Sequence, residues 1–399
     1  MLAVAPLFAA VLAALPAGAA PWPRHVIDAA SRGADGVRVA DVDGDGRRDV
    51  VTGWEEGGTV RVAFGPPDER VRDPWSSVTV GRVGSPEDAV AVDLDGDGRL
   101  EVLSCSEGRT RRLSVHSCSG DPRIEASWTT TPLGDSTGRQ QYMFALPWPK
   151  EHGGGAIVAG KGQGAAVEWW RPGADPADWA AWRATELRPV GWAMSLRAED
   201  LDGDGDPDLL LSDRRGPRRG AVWLEFDPAS ARWEEHAIGG ERAEPMFLTA
   251  GDLDGDGDRD VAVAAKDAGL ILFERRDETG DRWRSRTLPL PTGSGATGAG
   301  SGKGVAAART AAGTELFVSC EHAGGTCSIV RFRFEPGAAV WTAAPRLDCP
   351  GGVVGTKFDR LELLDLDADG DLDLLTCEER ENLGVLWYER PGPADEAGR

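Results

Sequence analysis

A nine-residue pattern of aspartates and glycines recurs five times in this chain, and each time a short aliphatic run follows it directly. The most regular copy is Asp200-Leu201-Asp202-Gly203-Asp204-Gly205-Asp206-Pro207-Asp208, which leads into Leu209-Leu210-Leu211. Carboxylates at positions 1, 3, 5 and 9, with glycines at 4 and 6 that accept positive φ, can wrap a hard cation in oxygen ligands. The main-chain carbonyl at position 7 completes the set. Calcium fits such a loop better than magnesium, because it takes about 6–8 oxygens in irregular geometry whereas magnesium keeps to a water-rich octahedron.

The expected ligand sets are Asp41, Asp43, Asp45, Arg47 and Asp49 in the first loop, and Asp93, Asp95, Asp97, Arg99 and Glu101 in the second. The third is Asp200, Asp202, Asp204, Asp206 and Asp208, the fourth Asp252, Asp254, Asp256, Asp258 and Asp260, and the fifth Asp365, Asp367, Asp369, Asp371 and Asp373. Ala368 replaces the first glycine of the fifth copy, and Glu101 closes the second in place of Asp. EF-hand and dockerin-type loops share the D-x-D-x-D-G opening, but they need an acid at position 12 and a helix afterwards. Here the closing acid is at 9, and the aliphatic run reads as a buried strand. On these loops the chain resembles the FG-GAP (VCBS) repeat family over nearly all of its length after the first 20 residues, although FG-GAP tripeptides are not present as such. The resemblance implies a calcium-loop β-propeller like the head of integrin α chains, with about five structural Ca2+ ions.

Spacing gives the number of blades. The loops begin at 41, 93, 200, 252 and 365, so two intervals are double length and conceal degenerate units. One is the turn from Pro147 to Gly155 before Ala156-Ile157-Val158-Ala159; the other lies between Val305-Ala306-Ala307 and Glu315-Leu316-Phe317-Val318. Neither should hold metal. Trp22, Trp75, Trp128, Trp182, Trp233, Trp283 and Trp341 each open a short segment with an aliphatic residue five or six positions on, which marks seven outer strands. The first such strand precedes the first loop and none follows the last. Residues 24–29 should therefore pair antiparallel with the strand around Val385 to Tyr388, closing an all-β, seven-bladed ring and hiding its edges. Helix should be almost absent.

Residues 1–20 read as a signal peptide: Leu2 to Leu15 is an apolar run too short to span a bilayer, and Ala17-Gly18-Ala19 is a small-residue cleavage site. The expected organisation is this leader, one propeller over 21–390, and a polar tail over 391–399, which makes the protein exported: secreted, periplasmic or at the cell surface. The net charge is −22, and the loop carboxylates account for most of it. With no basic stripe, nucleic acid is not an expected partner. In an exported chain Cys320 could bridge Cys327, Cys105 could bridge Cys118, and Cys349 could bridge Cys377, or the thiols could simply be buried. Gly293 to Gly304 lacks the Ser or Thr of a phosphate loop and reads as a flexible connector.

Function should lie on the face opposite the loops. There the turns after the second strands meet the blade-to-blade connections, and the residues they supply are Trp54, Glu55, Lys161, Trp192, Arg214, Lys266, Glu321, His322, Lys357, Arg360, Glu378 and Arg380. Trp54 and Trp192 both read as turn residues. Such a rim suits a polar ligand, a glycan or an extracellular protein. No H-E-x-x-H or G-x-S-x-G is present, and the five histidines are scattered singly. A polysaccharide-directed lyase or hydrolase is the alternative, with His322 beside Glu321, Lys357 and Arg360 as its proton-transfer group.

Overall fold

The computed structural model describes residues 22–277, 279–292, 295–310, 313–335, 340–344, 347 and 355–392. The expected signal peptide, Cys349 and most of the expected tail lie outside them. Seven four-stranded antiparallel sheets form seven blades. The first runs Ala34–Ala40, Asp49–Trp54, Thr59–Phe64 and Ser76–Arg82. The inner strands of the next six blades are Pro86–Val92, Gln141–Pro147, Ala193–Glu199, Pro245–Gly251, Ser301–Thr310 and Glu362–Leu364. Helix among the described residues amounts to four three-residue 3-10 turns.

The seventh blade takes its outer strand from the start of the chain. Arg24 faces Tyr388, His25 faces Trp387 and Val26 faces Leu386, antiparallel. Trp22 N–H donates to the Leu347 carbonyl at 3.1 Å, and His25 Nε2 meets Glu389 at 2.8 Å. Ring closure covers the edge of the Gly384–Tyr388 strand and gives that blade its fourth strand.

The core lies between blades because each second strand, flanked by a sheet neighbour on both sides, is apolar on both faces. Val51, Val60 and Val80 of the first blade pack with Ala89, Val102 and Trp128 of the second. Leu375 and Trp387 of the seventh pack with Val37, Val50 and Trp54 of the first, through Ile27. The tryptophans that open the outer strands belong to this packing. Trp75, Trp128, Trp182 and Trp283 also donate their indole N–H to a carbonyl in the preceding connection, at 2.7–3.0 Å. Each ring thereby fixes where its strand begins.

Three expectations are corrected. Trp54 is not in a turn: it ends the second strand opposite Ala34 and Thr59 and is fully buried. The glycine-rich segment is no connector from residue 295 on, since Gly295–Ala299 pairs with Thr326–Cys327 and Ser301–Thr310 is the inner strand of the sixth blade. Cys105 and Cys118 stand at opposite ends of their blade and are free thiols, so they form no bridge.

Candidate functional site

The aspartate loops join first to second strands, and a strand, not a helix, begins at position 9 in every copy. Carboxylate oxygens converge within 4.8 Å in the sets Asp41/Asp43/Asp45, Asp93/Asp95/Glu101 and Asp200/Asp202/Asp208. The paired glycines hold positive φ, for example Gly203 at 83° and Gly205 at 97°. Position 9 has a second task. Asp208 accepts hydrogen bonds from Leu201 N (3.0 Å) and Phe226 N (3.0 Å), tying the loop to the third strand. Asp49 does so with Val42 and Gly65, Asp260 with Leu253 and Arg275, and Asp373 with Leu366 and Arg390.

Burial raises these closing carboxyls, with the neighbouring loop aspartates adding to it: Asp49 to about 6, and Glu101, Asp208, Asp260 and Asp373 to about 7. Four acids in one turn want a counter-charge, and a divalent cation among positions 1, 3 and 5 would supply it. The donor sets fit such an ion. Cations of adjacent blades also approach: Arg123 reaches Asp43 and Asp45, Lys150 reaches Asp93, Arg72 reaches Asp367, and Arg309 reaches Asp252.

At the opposite end the inner strands start around a cup of about 260 Å³. Its walls differ in kind. Met143, Phe144, Met194, Met246 and Phe247, from the third to fifth blades, form an apolar half. Asp35, Glu87, Lys303 and Asp359, from the remaining blades, form a charged half, with Glu55, Glu107, Lys161, Trp192, Arg214, Glu321 and Lys357 above.

The charged half is tightly compensated. Lys303 Nζ lies 3.0 Å from Asp359 and 3.8 Å from Glu379, and Lys357 pairs with Glu379. Lys161 pairs with Glu107 and lies 3.6 Å from Glu87. Burial, then the charge of Asp359, pushes Asp35 well above the usual carboxyl range, so it keeps its proton and shares it with Asp359. Burial opposes the charges of Asp359 and Lys303, but each holds the other ionised. A protonated acid, a carboxylate and an ammonium thus stand side by side.

Of the twelve rim residues expected from sequence, Glu55, Lys161, Trp192, Arg214, Glu321 and Lys357 line this one cavity. The other six are elsewhere. Trp54 is in the core. Lys266 pairs with Glu321 at the edge. His322 is 62% exposed with φ of 55°, at 3.7 Å from Glu321. Glu378 is buried and accepts from the N–H groups of Thr356, Lys357, Arg380, Glu381 and Leu383, which shapes its own turn. Arg380 is exposed and does not line the cavity, and Arg360 pairs with Glu362 deeper in the channel.

Sequence reasoning missed Asp35, Glu87, Lys303 and Asp359 and the whole apolar half. The signal was available in the repeat register. Asp35, Glu87, Met194, Met246 and Asp359 each stand six residues before a loop's first aspartate, the point at which an inner strand faces the axis.

Residues 41–104 match the FG-GAP-like repeat family. No curated protein matches the chain. Among solved structures it is similar to the exotype rhamnogalacturonan lyase YesX, at 14% identity and a TM-score of 0.52, over 93% of this chain and 75% of that one. The rhamnogalacturonan lyase PL11 of Bacillus licheniformis is also similar, at 14% identity and a TM-score of 0.48, over 90% of this chain and 71% of that one. At such identity the likeness to YesX concerns the fold.

Proposed function

We propose that this chain is an exported, calcium-stabilised propeller that works as a binding module, holding a polar ligand, a carbohydrate before a protein, in the cup opposite the aspartate loops. The observation that carries the reading is the division of one cavity between an apolar wall of Met143, Phe144, Met246 and Phe247 and a charged wall of Asp35, Lys303 and Asp359. A pyranose ring has the same division, with C–H groups on its faces and hydroxyls around its edge. The calcium ions, about five, are structural in this reading: they fasten turns at the far end and touch no ligand.

The test is a glycan array probed with the calcium-loaded protein and with Trp192→Ala. Saturable binding that weakens in the variant, at an unchanged melting temperature, supports the proposal. A blank array together with capture of a surface protein at the same cup would replace carbohydrate by protein.

A second reading, a polysaccharide-directed enzyme using the same cup, is favoured by one specific feature. Asp35 and Asp359 are neighbours with opposite protonation states, the arrangement that assigns an acid and a base. The fold-level likeness to a rhamnogalacturonan lyase agrees with that class without deciding it. Release of unsaturated or reducing-end sugars, lost in Asp35→Asn and kept in His322→Ala, would establish the enzyme.

A further inference from the structure

The channel is closed beneath the cup. Arg38 of the first inner strand bonds Asp88 of the second blade at 2.6 and 2.9 Å and reaches the Ala145 carbonyl of the third at 3.3 Å. Arg360 pairs with Glu362, and Arg197 pairs with Glu199 at 3.0 Å. Burial, then the charge of Arg38 and more weakly that of Arg197, lowers the Arg360 guanidinium, so arginines from the first, fourth and seventh blades share this level of the channel. This layer of paired charges follows the cup residues along the same strands, with Arg38 after Asp35, Arg197 after Met194, and Arg360 after Asp359. The cup is therefore blind. Its volume of about 260 Å³ falls below the range of about 300–1,000 Å³ that encloses a drug-sized ligand.

The mouth is asymmetric. Lys161, Arg214 and Arg215 all stand over the Trp192 ring, at 4.8, 4.7 and 4.7 Å from its centroid. Lys161 is neutralised by Glu107, and Arg214 gives two hydrogen bonds to Glu244. Arg215 differs: it is exposed, and among the described residues no carboxylate pairs with it. Stacking on the half-buried Trp192 fixes the position of this guanidinium beside the cup.

We infer that the cup receives one terminal ring of an acidic saccharide end-on, with an anionic substituent of that ring or the next held by Arg215 over Trp192. A blind pocket of one ring's volume rejects the interior of a chain, which would have to leave at both sides. The apolar wall takes a ring face, while Asp35, Asp359 and Lys303 meet hydroxyls as donors and acceptors. Arg215, which feels Glu244 only through the Arg214–Glu244 pair beside it and forms no ion pair of its own among the described residues, selects a carboxylate or sulfate, since a charge-assisted contact is about twice as strong as a neutral one. The inference rests on the carbohydrate reading above and goes beyond it in mode and charge.

The experiment uses the calcium-loaded full chain with polyglucuronate and polymannuronate, each in short and long fractions, and with the neutral glucan and mannan counterparts, read by calorimetry. Expected are one protein bound per chain end whatever the chain length, and a preference for uronate over the neutral partner of about tenfold, the scale of one charged contact. Arg215→Ala should erase that preference, and Arg215→Lys should restore part of it. Stoichiometry that grows with chain length overturns the end-on mode while the carbohydrate reading survives. Equal affinity for both polymers, unchanged in Arg215→Ala, overturns the anionic subsite. Failure of every saccharide to bind overturns the inference and the reading it rests on.

Discussion

At the loop end of the ring, Asp49, Asp208, Asp260 and Asp373 perform one task four times, each tying an aspartate turn to the third-strand side through two backbone hydrogen bonds, one within the loop and one across. At the cup end, the equivalent place in five blades holds Asp35, Glu87, Met194, Met246 and Asp359, acids on one side of the ring and methionines on the other. The contrast separates two demands on one repeat. A turn that closes itself needs only its own residues, so every copy can use the same ones. A cavity shared by seven strands is complementary to a ligand only if the strands differ.

The two turns without aspartates show that the local demand can be met in other ways. In the third blade Trp148 fills the place of the loop, buried against Trp169, Phe226 and Trp233, with its N–H on the His152 carbonyl at 3.2 Å. In the sixth, Thr310 and Gly313 close a tight hairpin, and Glu315 is buried between Arg333 and Arg390. Burial works against the Glu315 charge, but the arginines around it hold the carboxyl below its usual range.

Removing divalent ions is the largest lever on this contrast. A site filled at a hundred times its dissociation constant contributes about 2.7 kcal/mol. Several such sites should lower the melting temperature by ten degrees or more on the order-of-magnitude scale for chains of this size. A melting curve unchanged in excess EDTA would sink the metal assignment of all five loops together. Trp148→Ala comes next, at about 3–5 kcal/mol for an emptied aromatic site. Its cost should be the same with and without calcium, whereas that of Asp202→Ala should vanish in EDTA. Differential scanning of the two variants in both buffers decides whether the third blade is fastened independently of metal.

Acidity sharpens the comparison further. The closing carboxyls at about 6 to 7 hold protons in the folded chain at pH values where the unfolded chain has lost them. In EDTA their contribution is fully present below about pH 4 and is lost as pH rises through 6 to 7. With calcium the sign reverses, because the ion needs the deprotonated form and binding strengthens over the same interval. Chemical denaturation at pH 5 and pH 7.5, in each buffer, reads this as two opposite slopes. Parallel slopes would mean that the closing acids do not sense the ion.

The fold was legible because its signals are periodic. Five loops and seven tryptophans mark the blades, and the tryptophan segment that precedes the first loop points to Arg24–Asp28 as the closing strand. The cup was half legible. Glu55, Lys161 and Lys357 could be placed on the rim from turn positions alone, whereas Asp35 and Lys303 lie inside strands and Asp359 just ahead of one, where a charge reads as an exposed face unless the axis is known. Lys303 was hidden further by its glycine-rich surroundings. Those glycines are packing positions: a Cβ at Gly304 would stand 2.6 Å from the Asp359 carbonyl oxygen. Trp54 failed in the opposite direction, since a tryptophan beside two glutamates resembles a rim residue until the strand is seen to run through it.

The smallest expected effect tests whether the five loops are interchangeable. Position 4 is left-handed in all of them, at φ of 73° for Gly44, 88° for Gly96, 83° for Gly203 and 90° for Gly255, and Ala368 adopts 60° in the fifth. An L-residue with a Cβ is strained there by about 1–2 kcal/mol, part of which glycine gives back through its freer unfolded chain. Ala368→Gly should therefore stabilise the protein by about 1 kcal/mol. The gain should be larger with calcium than without, because only a filled loop enforces the strained turn. An equal gain in EDTA would mean that the chain itself imposes the conformation. In that case the loops would be preformed cradles that calcium enters, and the ion would add affinity for an existing shape without creating it.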